Sequence, residues 1–300
     1  MISDNTVQSG SIPAVANRIP VDSQNRLFTF RARFTDIFNR YLIYWIVPVT
    51  VVIVWQISAQ LGLIPARILP APLKVVQAAL KLTSSGELLT DITVSAGRAL
   101  SGLLVGGSIG FLLGMANGLF RLSEKLLDTT VQMIRTIPNL SLIPLVILWF
   151  GIGDSARLFL ISLGVFFPIY INTFHGIRSV DPDLIEMGQV YGLSRWQLFR
   201  QVIFPGALPS VLVGVRLSLG IMWLTLIVAE TIAVESGIGY LAATAREFIR
   251  TDVLIFVVVL YAFLGKLSDV ITRLLESRLL RWQRRYQAAR SGAQKEVAYG

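Results

Sequence analysis

Gly106, Ser108 and Gly110 fit the G-x-S-x-G spacing of a hydrolase nucleophile elbow, where a serine would attack an acyl carbon with help from a base and an orienting acid. The chain of 300 residues offers one histidine, His175, with no carboxylate beside it in sequence, and Ser108 lies in an apolar run rather than at a strand-to-helix turn. Serine-nucleophile chemistry is set aside on both grounds. Gly151-Ile152-Gly153-Asp154-Ser155-Ala156 and Gly237-Ile238-Gly239-Tyr240-Leu241-Ala242 fit the loose dinucleotide spacing G-x-G-x-x-A, but neither follows a strand, and both read as turns. The only Gly-Lys pair, Gly265-Lys266, is followed by Leu267, so the chain has no P-loop for ATP. The absence of cysteine removes disulfide scaffolds, zinc-thiolate sites and iron–sulfur clusters, and a lone histidine removes the two-histidine zinc motif. The expectation is a chain that binds no cofactor or metal and catalyses nothing by itself.

Two charges stand inside long apolar runs, where an ionised group is costly unless paired or wet. Glu230 either shapes a polar path or sits at an interface and pairs with Arg246 or Arg250. Arg216 either assists an anion or snorkels toward the membrane surface. A polar stretch from Thr136 to Pro144 places Pro138, Asn139 and Pro144 at the start of another apolar run. Proline frees a backbone carbonyl, which lipid tolerates only where neighbours or a water-filled cavity satisfy it. A kink that lines a path and a plain kink both remain open there.

The elements that must carry these residues follow from composition. With 54% hydrophobic residues, 15% charged residues and a mean hydropathy of +0.65, the bilayer is the expected solvent. About 20 apolar residues cross the ~30 Å hydrocarbon core. Six such runs are predicted, at about 42–63, 99–120, 136–153, 158–177, 209–232 and 253–273. If the N-terminus is cytoplasmic, 20 of the 27 Lys and Arg fall on the inside and 7 outside, so both termini are expected in the cytoplasm of a multi-pass plasma-membrane protein. The net charge of +9 is then headgroup attraction by the basic tail at 278–300 rather than nucleic-acid binding. Residues 1–41 read as a polar lead ending in an interfacial amphipathic helix, and Leu73 to Leu82 as a short external helix. The membrane-spanning core is expected over 42–277. In the second run, Gly102, Gly106, Gly110, Gly114 and Gly118 recur at steps of four and suit close helix packing in lipid.

The inside loop at 178–208 carries a bounded helix. Asp181 is a natural N-cap, Pro182 a first helical residue, Asp183 and Glu186 suit the helix dipole, and Gly192 suits the C′ position. Ser194 caps a second helix expected to stop at Pro205 and Pro209. With Leu184, Ile185, Met187 and Tyr191 on its surface, the first helix reads either as a docking element or as a connector.

Glu186, Gly192 and Val202-Ile203-Phe204-Pro205 resemble the E-A-A-x-x-x-G-x(9)-I-x-L-P loop of membrane subunits of binding-protein-dependent ABC importers, with Met187 and Gly188 in place of two alanines. Segments such as Pro144 to Ile152, Pro168 to Thr173, Leu224 to Thr231 and Ser236 to Leu241 are similar to the nitrate, sulfonate, taurine and bicarbonate permease group. Arg246-Glu247-Phe248 with Thr251-Asp252 leans toward the aliphatic-sulfonate members. The resemblance implies an all-α type I importer permease (MetI-like) with six transmembrane helices. It also implies a second permease copy, two cytoplasmic ATPases that use MgATP, and an external substrate-binding protein. Glu186, Met187, Gly188, Gly192 and Pro205 would form the ATPase-coupling loop; Pro138, Asn139, Pro144, Arg216 and Glu230 are the candidates for the translocation path. Transport would proceed by alternating access. A secondary transporter is the competing class, but it should show inverted repeats and midplane ion ligands, which the sequence lacks. An intramembrane enzyme lacks an assembled nucleophile and base.

Overall fold

The computed structural model describes residues 45–231 and 236–282. The expected polar lead, the interfacial helix, the first residues of the first span and most of the basic tail lie outside them. Among the described residues the chain is helical, without strands. An apolar helix, α1 (Trp45–Gln60), covers part of the first expected span. Then come α2 (Pro72–Ser84), which is the expected external helix, and α3 (Glu87–Leu119). Next are α4 (Arg121–Arg135), a 3-10 turn at Asn139–Leu142, α5 (Ile143–Phe150) and α6 (Asp154–Arg178). The loop helix α7 (Pro182–Val190) and α8 (Arg195–Leu198) lead through a π turn at Phe199–Ile203 into α9 (Phe204–Glu230). Finally α10 (Ile238–Glu247) precedes α11 (Thr251–Leu279).

Among the described residues, four helical stretches are long and apolar enough to cross a membrane: α3, α6, the α8–α9 stretch (Arg195–Glu230) and α11. A fifth crossing is formed only if α4 and the Asn139–Phe150 segment count together, and these meet at 85°. The third expected span, a helix over 136–153, is therefore corrected: the chain arrives on α4, breaks at Thr136–Pro138 and resumes as α5. Pro138 offers no N–H to continue α4. A second correction concerns Pro205 and Pro209, where a helix stop was expected. The helix runs through both, because the π turn before Phe204 resets the hydrogen-bond register and Pro205 falls in the first turn of α9, where an N–H is dispensable.

α3 and α6 run in the same direction with their backbones in contact, and the glycine stripe is the cause. A Cβ on Gly110 would stand 2.6 Å from the Phe166 carbonyl oxygen and one on Gly114 2.6 Å from that of Tyr170. One on Gly106 would run into the Ser162 carbonyl. Small residues thus let van der Waals contact between backbones replace the hydrophobic drive that lipid does not supply. α9 packs antiparallel on the other side of α6, with Ser210 Oγ donating to Asn172 O at 2.7 Å and Ser218 Oγ to Val165 O at 3.0 Å. Ala99, Ile161, Val165, Ile169, Met222 and Leu226 fill the space among α3, α6 and α9. A second core joins α2, α10 and α11 through Ala78, Leu82, Ile238, Leu241, Val253 and Val257.

Candidate functional site

Glu230 closes α9 and is fully buried. Ser95 Oγ lies 2.8 and 2.7 Å from its two carboxylate oxygens, Arg98 Nη1 donates to Oε1 at 3.0 Å, and the Gly239 N–H donates to Oε2 at 3.0 Å. The Ile238 N–H donates to Ser95 Oγ at 2.8 Å and the Gly237 N–H to Asp91 Oδ1 at 2.8 Å. The N–H groups of Gly237, Ile238 and Gly239 at the opening of α10 are thus each met by a side chain from α3 or α9, which answers most of the unpaired donors of a helix start. Gly237 has a φ of 116°, and a Cβ there would stand 2.7 Å from Glu230 Oε1. Only glycine fits so close to the carboxylate in that conformation. Arg98 extends the network: Nη1 also donates to Ser236 O at 2.7 Å, and Nε to Asp154 Oδ1 at 2.9 Å. Arg157 Nη1 reaches the same Asp154 oxygen at 2.6 Å.

The expected pairing of Glu230 with Arg246 or Arg250 is therefore corrected. Its cationic partner is Arg98 on α3, while Arg246 and Arg250 are exposed. Arg98, Asp91 and Ser95 were not expected at the site; Arg98 is the last charge before the second apolar run. The geometry makes a prediction. Arg98→Ala leaves a buried carboxylate without its cation and should cost about 3–5 kcal/mol, read as a lower melting temperature of the purified protein. Adding Glu230→Gln should recover a large part of that loss, and a double variant no more stable than Arg98→Ala would contradict the pairing.

Arg216 also has a partner. Its Nη2 stands 2.9 Å from Asp269 Oδ1 on α11, and Asp269 in turn pairs with Arg273 at 3.0 Å. At the break between α4 and α5, Pro138 and Pro144 are exposed while Asn139 turns inward. Asn139 Nδ2 donates to Leu160 O at 3.4 Å, and its Oδ1 is buried without a partner among the described residues. A Cβ on Gly164 would stand 2.9 Å from both Asn139 Nδ2 and Thr225 Oγ1, so α6 is glycine where the broken helix and α9 converge. A further polar chain, absent from the sequence reading, ties α3, α6 and α4 at their other ends. Asn117 Nδ2 donates to Tyr170 OH at 2.6 Å, and Tyr170 OH donates to Asp128 Oδ1 at 2.7 Å.

The loop helix α7 has the caps its sequence requires. Asp181 accepts from the Asp183 N–H at 3.0 Å. At the other end Gly192, with φ 75°, donates to Gln189 O at 2.9 Å, and Leu193 donates to Gly188 O at 3.1 Å. These two bonds form a Schellman motif. Ser194 and Gln197 then make a reciprocal capping box for α8. Gly188 is buried beneath Leu193 and Leu198, whereas Leu184, Glu186, Met187, Val190 and Tyr191 are exposed. Pro205 lies half-buried in the first turn of α9, outside the loop helix. The helix is thus held rigidly at both ends and by one face, with an apolar face left open. Among the described residues no three His, Asp or Glu gather as a metal site.

Residues 106–281 match the family model described as "Binding-protein-dependent transport system inner membrane component". The chain is similar to a protein of Escherichia coli (strain K12) described as an aliphatic sulfonates transport permease, 57% identical over 242 residues that cover 81% of this chain and 92% of that protein. A protein of Bacillus subtilis (strain 168) with the same description is 42% identical over 81% of this chain and 88% of its own length. The taurine transport system permease protein of Escherichia coli (strain K12) is 34% identical over 76% of this chain and 85% of its own.

Proposed function

The chain belongs to the family of binding-protein-dependent transport system inner membrane components, and from that premise we propose that it carries aliphatic sulfonates inward as the permease of an ATP-driven importer. It is a non-catalytic membrane subunit, and ATP chemistry belongs to a separate protein. In this reading two copies of the chain form the path, and two cytoplasmic ATPases using MgATP dock on the exposed face of α7. An external binding protein delivers the substrate. The permease domain spans 42–277 of the bacterial inner membrane, with 178–208 as the coupling loop, Glu186 and Met187 on its contact face, and both termini in the cytoplasm. Gly188, Gly192 and Pro205 shape that loop from within. The break at Pro138, Asn139 and Pro144 lines the path. Arg216 and Glu230 act on it from within ion pairs, as fixed struts rather than free charges.

The observation that carries the sulfonate assignment is identity of 57% over nearly the whole of one sulfonate relative, against 34% for the taurine relative. The test is ATP hydrolysis by the permease–ATPase complex in liposomes, with the binding protein loaded in turn with an alkanesulfonate, taurine, nitrate or bicarbonate. Alkanesulfonate should stimulate hydrolysis most strongly. Stimulation by one of the other anions alone would keep the importer and replace its substrate, and failure of any ATPase to co-purify would return the chain to the secondary transporters.

A further inference from the structure

Along the seam of α3 and α6, and reaching α4 and α5, the fold leaves an open groove of about 570 Å³ with almost wholly apolar walls, among them Ile109, Leu113, Phe159, Leu163 and Phe166. A second groove of about 430 Å³ lies beside Thr93, Arg98, Ser101 and Asp154. Both are bordered by Ser155 and Leu158, so the polar chamber adjoins the apolar one along the start of α6. Arg98 and Leu113 are fifteen residues apart on one helix, which at 1.5 Å per residue is about 22 Å. The pair of chambers therefore has the polarity of an amphiphile: a cationic end and a long apolar end.

The polar end already holds an oxyanion, and it sits at the surface. The Asp154 side chain is 73% exposed, and a single one of its oxygens accepts from both Arg98 and Arg157. Glu230, by contrast, is sealed in its cradle of Ser95, Arg98 and Gly239. Arg98 Nη2 has no hydrogen-bond partner among the described residues. A sulfonate presents the same acceptor chemistry as a carboxylate, with one more oxygen. Seated in place of Asp154 it would engage the guanidinium groups while Glu230 stays where it is.

We propose that the two chambers form one binding site within the permease for an aliphatic sulfonate, its head at Arg98 and its chain lying along α3 toward Leu113. The proposal rests on the sulfonate reading above and adds a place where the permease itself senses the chain. Each methylene taken into the apolar chamber should tighten binding about fourfold. An anionic phospholipid shares this chemistry and is the rival occupant.

The test uses octanesulfonate with a terminal diazirine, photolysed with the purified permease–ATPase complex in nanodiscs and mapped by mass spectrometry. Labels should fall on residues 102–109 and 158–163 and disappear with excess octanesulfonate. They should weaken at least tenfold in Ile109→Trp, which places a bulky ring across the apolar groove. Asp154→Asn, which removes the competing carboxylate, should raise labelling severalfold and serves where Ile109→Trp folds poorly. Labels elsewhere, or labels displaced by phosphatidylglycerol but not by octanesulfonate, would overturn the proposal. Hydrolysis stimulated by the alkanesulfonate-loaded binding protein is measured on the same preparation. A stimulated complex with unlabelled chambers rejects this site alone, whereas a complex that sulfonate does not stimulate rejects the substrate assignment and the site with it.

Discussion

Gly106→Val should leave almost no folded protein. The added Cβ would run into the Ser162 carbonyl, and that obstacle is backbone rather than the free end of a side chain. A side chain in the way can change rotamer; a helix backbone can yield only if α3 and α6 move apart. Separation at Gly106 would also open the contacts at Gly110 and Gly114, since all three lie along one seam. Overpacking an ordinary core costs about 1–3 kcal/mol, and a clash with backbone along a whole helix pair should exceed it. Gly97, on the same helix, has nothing within 4 Å of where its Cβ would be. Gly97→Ala should accordingly be harmless. The yield of monodisperse protein after size-exclusion chromatography measures both, and equal losses would mean that the seam does not hold the fold.

The second large effect should appear without loss of folding. Leu184 and Met187 are 47% and 50% exposed on a helix whose caps and buried Gly188 do not involve their side chains. Leu184→Asp with Met187→Asp therefore leaves α7 intact while placing two charges on its open face. Burying such a side chain contributes about 1.5–3 kcal/mol, and every 1.4 kcal/mol is tenfold in affinity. The double variant should bind the ATPase at least a hundredfold more weakly and lose substrate-stimulated hydrolysis, with an unchanged melting temperature. Retained stimulation would show that the face is not the contact. Gly192→Val should act differently, straining the left-handed turn and loosening the helix itself.

How much was legible in the sequence follows from which interactions are local. The loop helix was readable almost to the residue, because Asp181, Pro182, Gly192 and Ser194 act on backbone groups a few positions away. The glycine stripe announced close packing, and the apolar runs located α3, α6, α9 and α11. The ion pair of Glu230 was not readable: its partner Arg98 lies 132 residues upstream, and Arg246 and Arg250 were nearer in sequence. The bend of 85° after α4 was only half readable. Prolines mark where a helix is weakened, but whether it kinks, breaks or runs on depends on what receives the freed carbonyls. Pro138 sits at a break, while Pro205 follows a π turn that lets the helix continue.

The central claim is that this permease is driven by a separate ATPase through the open face of α7. The chain has no cysteine, so Met187→Cys introduces a unique thiol without further changes. Cross-linking that thiol to the ATPase in the purified complex is the most direct measurement. A covalent permease–ATPase product from Met187→Cys, absent when the cysteine is placed at Gly97 instead, is the predicted result. A Met187 thiol that reacts freely with a soluble maleimide in the assembled complex, yet never joins the ATPase, would contradict the account.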